Sequence, residues 1–165
     1  MTRSSSQDLG LLARFVLVIL AALIVTGIMW HGLTFRTIAR LWYDLVERPT
    51  GPMRFRFILQ PVMATIAAVR DGRADALAGR TPYFATVVSN KHERAGRLRE
   101  GLNATARIIV LGLVMDLIYQ TLVLQTFYPN EAVIIALLLA FIPYLIIRGI
   151  ALRVYRSYAS ARSRP

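Results

Sequence analysis

The chain has 165 residues, enough for one domain, and 56% of them are hydrophobic with a mean hydropathy of +0.51, more apolar surface than a soluble domain of this size can bury. It contains no cysteine, which excludes disulfides, thiolate zinc sites, iron–sulfur clusters and cysteine nucleophiles. The net charge is +11 and 19 of the 20 basic residues are arginine; on a chain whose apolar residues gather in runs, this excess points to anionic headgroups at the cytoplasmic face of a membrane rather than to nucleic acid.

The first apolar run is Phe15–Leu33, without a charge, about 28 Å long as a helix and so one hydrocarbon core deep. It is longer than a typical signal-peptide core and ends in Met-Trp-His-Gly, so it is expected to stay as an anchor. From Thr34 to Arg107 the chain carries 13 basic and 6 acidic residues, and its apolar residues turn periodic. Phe35, Ile38, Leu41, Trp42, Leu45 and Val46 share one helical face opposite Arg36, Arg40, Asp44, Glu47 and Arg48, with i,i+4 pairs of opposite charge. Pro49-Thr-Gly-Pro52 ends that helix. A second amphipathic stretch sets Phe55, Ile58, Leu59, Val62, Met63, Ile66 and Val69 on one stripe, with Arg54, Arg56 and Arg70 flanking it. Its charge-free core, Phe57–Val69, would be only about 20 Å long, short for a crossing, and is expected to lie in the interface. Gly79–Asn90 reads as loop, and His92–Arg107 as helix.

The second span is Ile108–Phe127. Tyr128-Pro-Asn-Glu131 is a tight connection, and the third span is Ala132–Ile147 extending to about residue 150, with Pro143 inside and an arginine-rich tail behind it. The expectation is therefore an all-α membrane protein: one membrane domain over residues 1–165, three transmembrane helices at about 15–33, 108–127 and 132–150, and basic amphipathic interfacial helices in a cytoplasmic segment 34–107. Three spans collect 18 of the 20 basic residues on one side, which the positive-inside rule makes the cytoplasm, with a periplasmic N-terminus and a cytoplasmic C-terminus in a bacterial inner membrane. A crossing by Phe57–Val69 would instead leave 15 basic residues inside and five outside, and put the N-terminus inside.

Asp116 lies nine residues past Arg107, about 13 Å into the second span. A carboxyl at that depth costs about 2.5–3.5 kcal/mol to insert and turns toward protein or water. Gly112, Asp116 and Gln120 share a face at a spacing of four, with Tyr119 beside it. Ala132, Ala136 and Ala140 make a matching groove on the third span, where small residues let backbones approach. Thr26 of the first span is at the right depth to hydrogen-bond Asp116. The structural reading is a protonated carboxyl that fixes helix packing and would tolerate Asn; the functional reading is a proton or cation site. A lipid-facing basic belt is expected from Arg36, Arg40, Arg48, Arg54, Arg56, Arg70, Arg148, Arg153 and Arg156. Asp71, Asp75, Glu93 and Glu100 read as a solvated, ion-paired face. His31 and His92 differ too much in depth to share a haem or metal, and the glycines form no phosphate-binding fingerprint, so neither a metal nor a cofactor is expected.

The blocks Met53–Pro61, Arg70-Asp-Gly-Arg-Ala-Asp75, Gly79-Arg-Thr-Pro-Tyr83, Met115-Asp-Leu-Ile-Tyr-Gln120 and Ile142-Pro-Tyr-Leu-Ile-Ile-Arg148-Gly149 resemble those of a family of small uncharacterised bacterial inner-membrane proteins with no assigned activity. The resemblance spans about residues 50–150 and implies a membrane protein without implying catalytic residues. The reading that follows is a non-enzymatic accessory, assembly or scaffolding partner. Its basic face sits on anionic lipid, and its partner is another membrane protein or a second copy. The alternative is a small oligomeric transporter or channel using Asp116, with a membrane-bound lipid enzyme third.

Overall fold

The computed structural model describes residues 10–32, 39, 43 and 55–162. The first expected amphipathic helix, apart from Ala39 and Tyr43, falls outside the described residues, as do Arg36, Arg40, Arg48 and Arg54. The elements are α1 (Leu11–His31), α2 (Arg56–Leu77), α3 (Tyr83–Ser89), α4 (Lys91–Tyr119), a π-helical turn over Gln120–Leu124, and α5 (Pro129–Arg162). Three of these helical stretches, Leu11–His31, Lys91–Leu124 and Pro129–Ala161, are long and apolar enough to cross a membrane, as expected of an all-α membrane protein.

Local chemistry sets the helix ends. Gly32 (φ +64°) follows α1 and Gly79 (φ +65°) follows α2, both in the left-handed region that a glycine enters without a Cβ clash. Asn90 opens α4: its side chain accepts from the His92 N–H at 3.1 Å and the Glu93 N–H at 3.4 Å, satisfying two donors that the helix leaves orphaned. The stretch read as loop from Gly79 to Asn90 contains α3, whose buried Tyr83 and Thr86 tie it to the bundle.

Residue-to-residue contacts fix the helix directions. Along α4 and α5, Gly101 approaches Phe141, Gly112 approaches Ala136, and Glu100 meets Arg148, so the two run antiparallel as the predicted hairpin. Along α1, the Gly10 N–H donates to Asn103 Oδ1 at 2.9 Å, Gly27 lies against Asn130, and His31 stacks on Tyr128 at 4.6 Å between ring centroids. Helix α1 therefore runs parallel to α4, and its first residues share an end of the bundle with the start of α4 and the end of α5. The chain leaves α1 at the hairpin end and must return along the bundle before α4 begins.

Helix α2 makes that return. Its first residue, Arg56, meets Asp116, Gln60 donates to the Ile108 carbonyl at 3.2 Å, and Gly72 lies against Arg148 and Ala151. It thus runs antiparallel to α4 and parallel to α5. The face it buries is Arg56, Gln60, Ala64, Ala68, Gly72 and Asp75, a small and polar stripe at spacings of four and, last, three. Ile58, Val62 and Ile66 face outward at 68%, 48% and 66% exposure. The segment expected to float in the interface is a packed element of the bundle. Its low hydropathy is explained by polar groups turned toward protein.

The core is a seam of small side chains: Ala64 and Ala68 of α2 and Ala132, Ala136 and Ala140 of α5, joined by Ala13, Val16 and Leu20 of α1 and Ile109 of α4. Gly72 marks a close backbone approach, since a Cβ there would fall 2.7 Å from the Arg148 carbonyl oxygen. Close backbone contact of this kind supplies the dispersion attraction that holds helices together where no hydrophobic drive operates between them.

Candidate functional site: two buried ion-pair clusters

The first cluster lies toward the hairpin end. Asp116, on the inward face of α4, is fully buried. Its Oδ1 pairs with Arg56 Nη1, and its Oδ2 accepts from Gln120 Nε2 at 2.5 Å. The Gln120 side chain also receives the Tyr128 N–H on Oε1 at 2.5 Å and reaches the Tyr128 carbonyl at 3.3 Å. One amide therefore clamps the carboxylate to the hairpin connection, at the point where α4 loosens into its π turn. A carboxylate or a guanidinium alone at this depth would be very costly, and each makes the other tolerable.

Sequence reasoning put Asp116, Gln120 and the Gly112/Ala136 approach on one face, and the structure brings these residues together. Tyr119 is buried on the same helix. Thr26 is not part of the cluster: its hydroxyl donates to the Ala22 carbonyl of its own helix at 2.8 Å. Arg56 is a correction. Expected on the lipid-facing belt, it is 2% exposed because its stripe on α2 is the one turned inward.

The second cluster lies at the opposite end, where the ion pairing expected of Asp75 and Glu100 is present but is largely buried. Arg148, expected on the belt, is 1% exposed. Its Nε donates to Asp75 at 2.7 Å, Nη1 to the Tyr144 hydroxyl at 2.6 Å and Nη2 to Glu100 at 3.0 Å, and its guanidinium lies 4.3 Å from the centre of the Tyr83 ring. Arg97 donates to Asp75 at 3.4 Å and to Glu100 at 3.2 Å. Arg80 reaches the same two carboxylates at 3.5 Å and 3.2 Å. The Tyr144 hydroxyl donates to Asp71 at 2.7 Å, and the Tyr83 hydroxyl to the Arg97 carbonyl at 2.6 Å.

Three arginines are thus matched by Asp75, Glu100 and, through Tyr144, Asp71. The cluster binds α2, α3, α4 and α5 in one knot. Asp75 was read as solvated and is 1% exposed; Glu93 is exposed as expected. Burial pushes the Tyr83 phenol up to about 12, against the pull of the Arg148 guanidinium.

Of the remaining belt residues described, Arg70 and Arg153 are exposed, and Arg156 donates to the Arg80 carbonyl. Among the described residues no group of three His, Asp or Glu side chains is placed to hold a metal ion. His31 and His92 sit at opposite ends of the bundle. A shallow basin of about 680 Å³ opens beside the second cluster, lined by Arg80, His92, Glu93, Arg97, Arg99 and Glu100, with its cations offset by acids. No protein-family model, curated protein or solved structure matches the chain.

Proposed function

We propose that this chain is a non-enzymatic accessory or assembly protein of a bacterial inner membrane, crossing it four times with both ends in the cytoplasm. The parallel course of α1 and α4 supports the fourth crossing, with α2 turning its polar stripe to the bundle and its apolar stripe to lipid. Fifteen of the 20 basic residues then lie inside, still in accord with the positive-inside rule.

The observation that carries the functional reading is the mutual pairing of buried charges. Asp116 is held by Arg56 and Gln120. Arg148 is held by Asp75, Glu100 and Tyr144. Groups spent on one another in this way fix helices; a carrier of protons or cations would need its carboxyl to exchange partners. The bundle also presents large apolar side chains outward, Phe15, Val18 and Val25 on α1 and Ile58 and Ile66 on α2, surfaces fit for lipid, a second copy or another membrane protein.

The test is purification of the native protein in mild detergent, followed by reconstitution. A defined homo-oligomer or a stoichiometric membrane-protein complex is expected, with no pH- or cation-driven flux above that of empty vesicles. A saturable flux through the wild-type protein would overturn the reading in favour of a transporter.

A further inference from the structure

At the end of the bundle that holds the second cluster, α2 and α5 part to leave an open groove of about 810 Å³. It is lined by Arg73, Leu77, Tyr155, Arg156, Tyr158 and Ala159, among others. Three features set it apart from the neighbouring basin. Its charges are of one sign: Arg73 and Arg156 have no carboxylate within ion-pairing distance among the described residues. Arg73 lies 5.8 Å from the centre of the Tyr155 ring, within reach of a cation–π contact at the groove wall. Two tyrosines and two arginines ring a floor of alanine and leucine, the mixture of amphipathic aromatic and cationic side chains that suits the headgroup level of a bilayer.

The groove is also the end point of two exposed apolar stripes. On α5, Ile142, Ile146, Ile150 and Val154 are 44%, 56%, 49% and 47% exposed, and they lead at i,i+4 spacing to Tyr158, a path of about 24 Å. On α2, Val62, Ile66 and Val69 are exposed and lead, at spacings of three and four, to Arg73 and Leu77. A ligand with an anionic head and long apolar tails would match both parts at once, and a free anion would use only the first.

We propose that this groove is a binding site for an anionic glycerophospholipid. Arg73 and Arg156 take the phosphodiester, Tyr155 and Tyr158 flank the glycerol, and the acyl chains lie along the α2 and α5 stripes. The proposal rests on the four-crossing reading, which puts the groove at the cytoplasmic headgroup level.

The full-length protein, delipidated in mild detergent, is titrated with phosphatidylglycerol or phosphatidylcholine, and bound lipid is counted by native mass spectrometry. Wild-type protein is expected to retain one phosphatidylglycerol in preference to phosphatidylcholine. Arg73→Gln with Arg156→Gln should weaken that binding about 30-fold, as two headgroup-level arginines contribute. Ala159→Trp, which fills the groove at an exposed position without removing a cation, should weaken it too and covers the case in which the double variant does not fold. Equal retention of the two lipids by wild type, or undiminished retention by both variants, would overturn the proposal. So would displacement of phosphatidylglycerol by millimolar inorganic phosphate, which would mark a site for free anions. If the groove variants keep the lipid while Arg70→Gln, Arg94→Gln, Arg99→Gln and Arg153→Gln together lose it, the groove is wrong and the basic-face reading survives. If no variant loses it, both fail.

Discussion

The guanidinium of Arg56 on α2 pairs with the carboxylate of Asp116 on α4, and neither side chain reaches solvent, at 2% and 0% exposure. The two residues are 60 positions apart in sequence, and their pairing joins α2 to α4, which belongs to a stretch long and apolar enough to cross a membrane. It changes what a substitution at Asp116 should do. Read from the sequence, with no cation in view, Asp116→Asn looks mild. With Arg56 buried against it, the same change takes a charged partner away from a buried guanidinium.

Asp116→Asn and Arg56→Gln are each expected to destabilise the protein by about 3–5 kcal/mol, the range for removing one partner of a buried pair. Arg56→Met combined with Asp116→Leu should recover most of that loss, because an apolar pair of similar volume removes both charges of the pair together. Reversible unfolding in mixed detergent micelles measures all three, and a double variant no better than the singles would show that the pair is not coupled.

The Arg148 knot should be intolerant even of Lys. Arg148 uses three nitrogens on three different partners, whereas an ammonium on a thinner stem cannot span Asp75, Tyr144 and Glu100 in one plane or lie flat on the Tyr83 ring. Arg148→Lys is expected to cost about 2–3 kcal/mol and to speed hydrogen exchange in α3, which that ring anchors. Unchanged exchange in α3 would contradict the assignment.

Tyr83 supplies a pH signature. Its phenol titrates at about 12 in the folded protein and near 10 in an unfolded chain. Folding therefore disfavours the phenolate, and the associated stability is fully present below about pH 10 and lost as pH rises toward 12. The wild type should lose about 2–3 kcal/mol over that window relative to Tyr83→Phe. At pH 7 the Phe variant should be weaker by only about 1 kcal/mol, for the lost hydrogen bond to Arg97. Parallel stability curves for the two proteins from pH 9 to 12 would refute this.

Two glycines near the same turn of α5 should respond oppositely. A side chain on Gly72 meets the Arg148 carbonyl oxygen at 2.7 Å and the Ala151 Cβ at 2.8 Å, whereas a Cβ on Gly149 meets nothing within 4 Å. Gly72→Val should force α2 off α5 and lower the thermal midpoint sharply. Gly149→Ala should be neutral or stabilise by up to about 1 kcal/mol, through helix propensity alone. A silent Gly72→Val would mean that α2 is not seated where it is described.

Much of the membrane core is legible in the sequence because it obeys one-helix rules. Long apolar runs mark α1 and the hairpin, and the spacing of four in Gly112, Asp116, Gln120 and in Ala132, Ala136, Ala140 marks the faces that meet. What the sequence hides is pairing between helices. Arg56 and Arg148 look like belt arginines until Asp116 and Asp75 are brought to them. Hydropathy averages over a helix and so misses α2, whose polar stripe is covered by neighbours. A usable signal was present: Arg56, Gln60, Ala64, Ala68 and Gly72 repeat every four residues opposite an apolar stripe, the inverse of a helix that buries its apolar face in a soluble core. No local pattern foretells the union of Asp75, Glu100 and Arg148, whose contacts span 48 and 73 positions.

The central claim is that α2 returns the chain through the membrane, locked to its neighbours by buried charge. Topology reporters test it most directly, with fusions ahead of Gly10, within residues 33–54, after Gly79 and at the C-terminus. The account predicts cytoplasmic signals from the first, third and fourth and a periplasmic signal from the second. A periplasmic signal ahead of Gly10 together with a cytoplasmic one within residues 33–54 would contradict it, and would return α2 to the membrane surface.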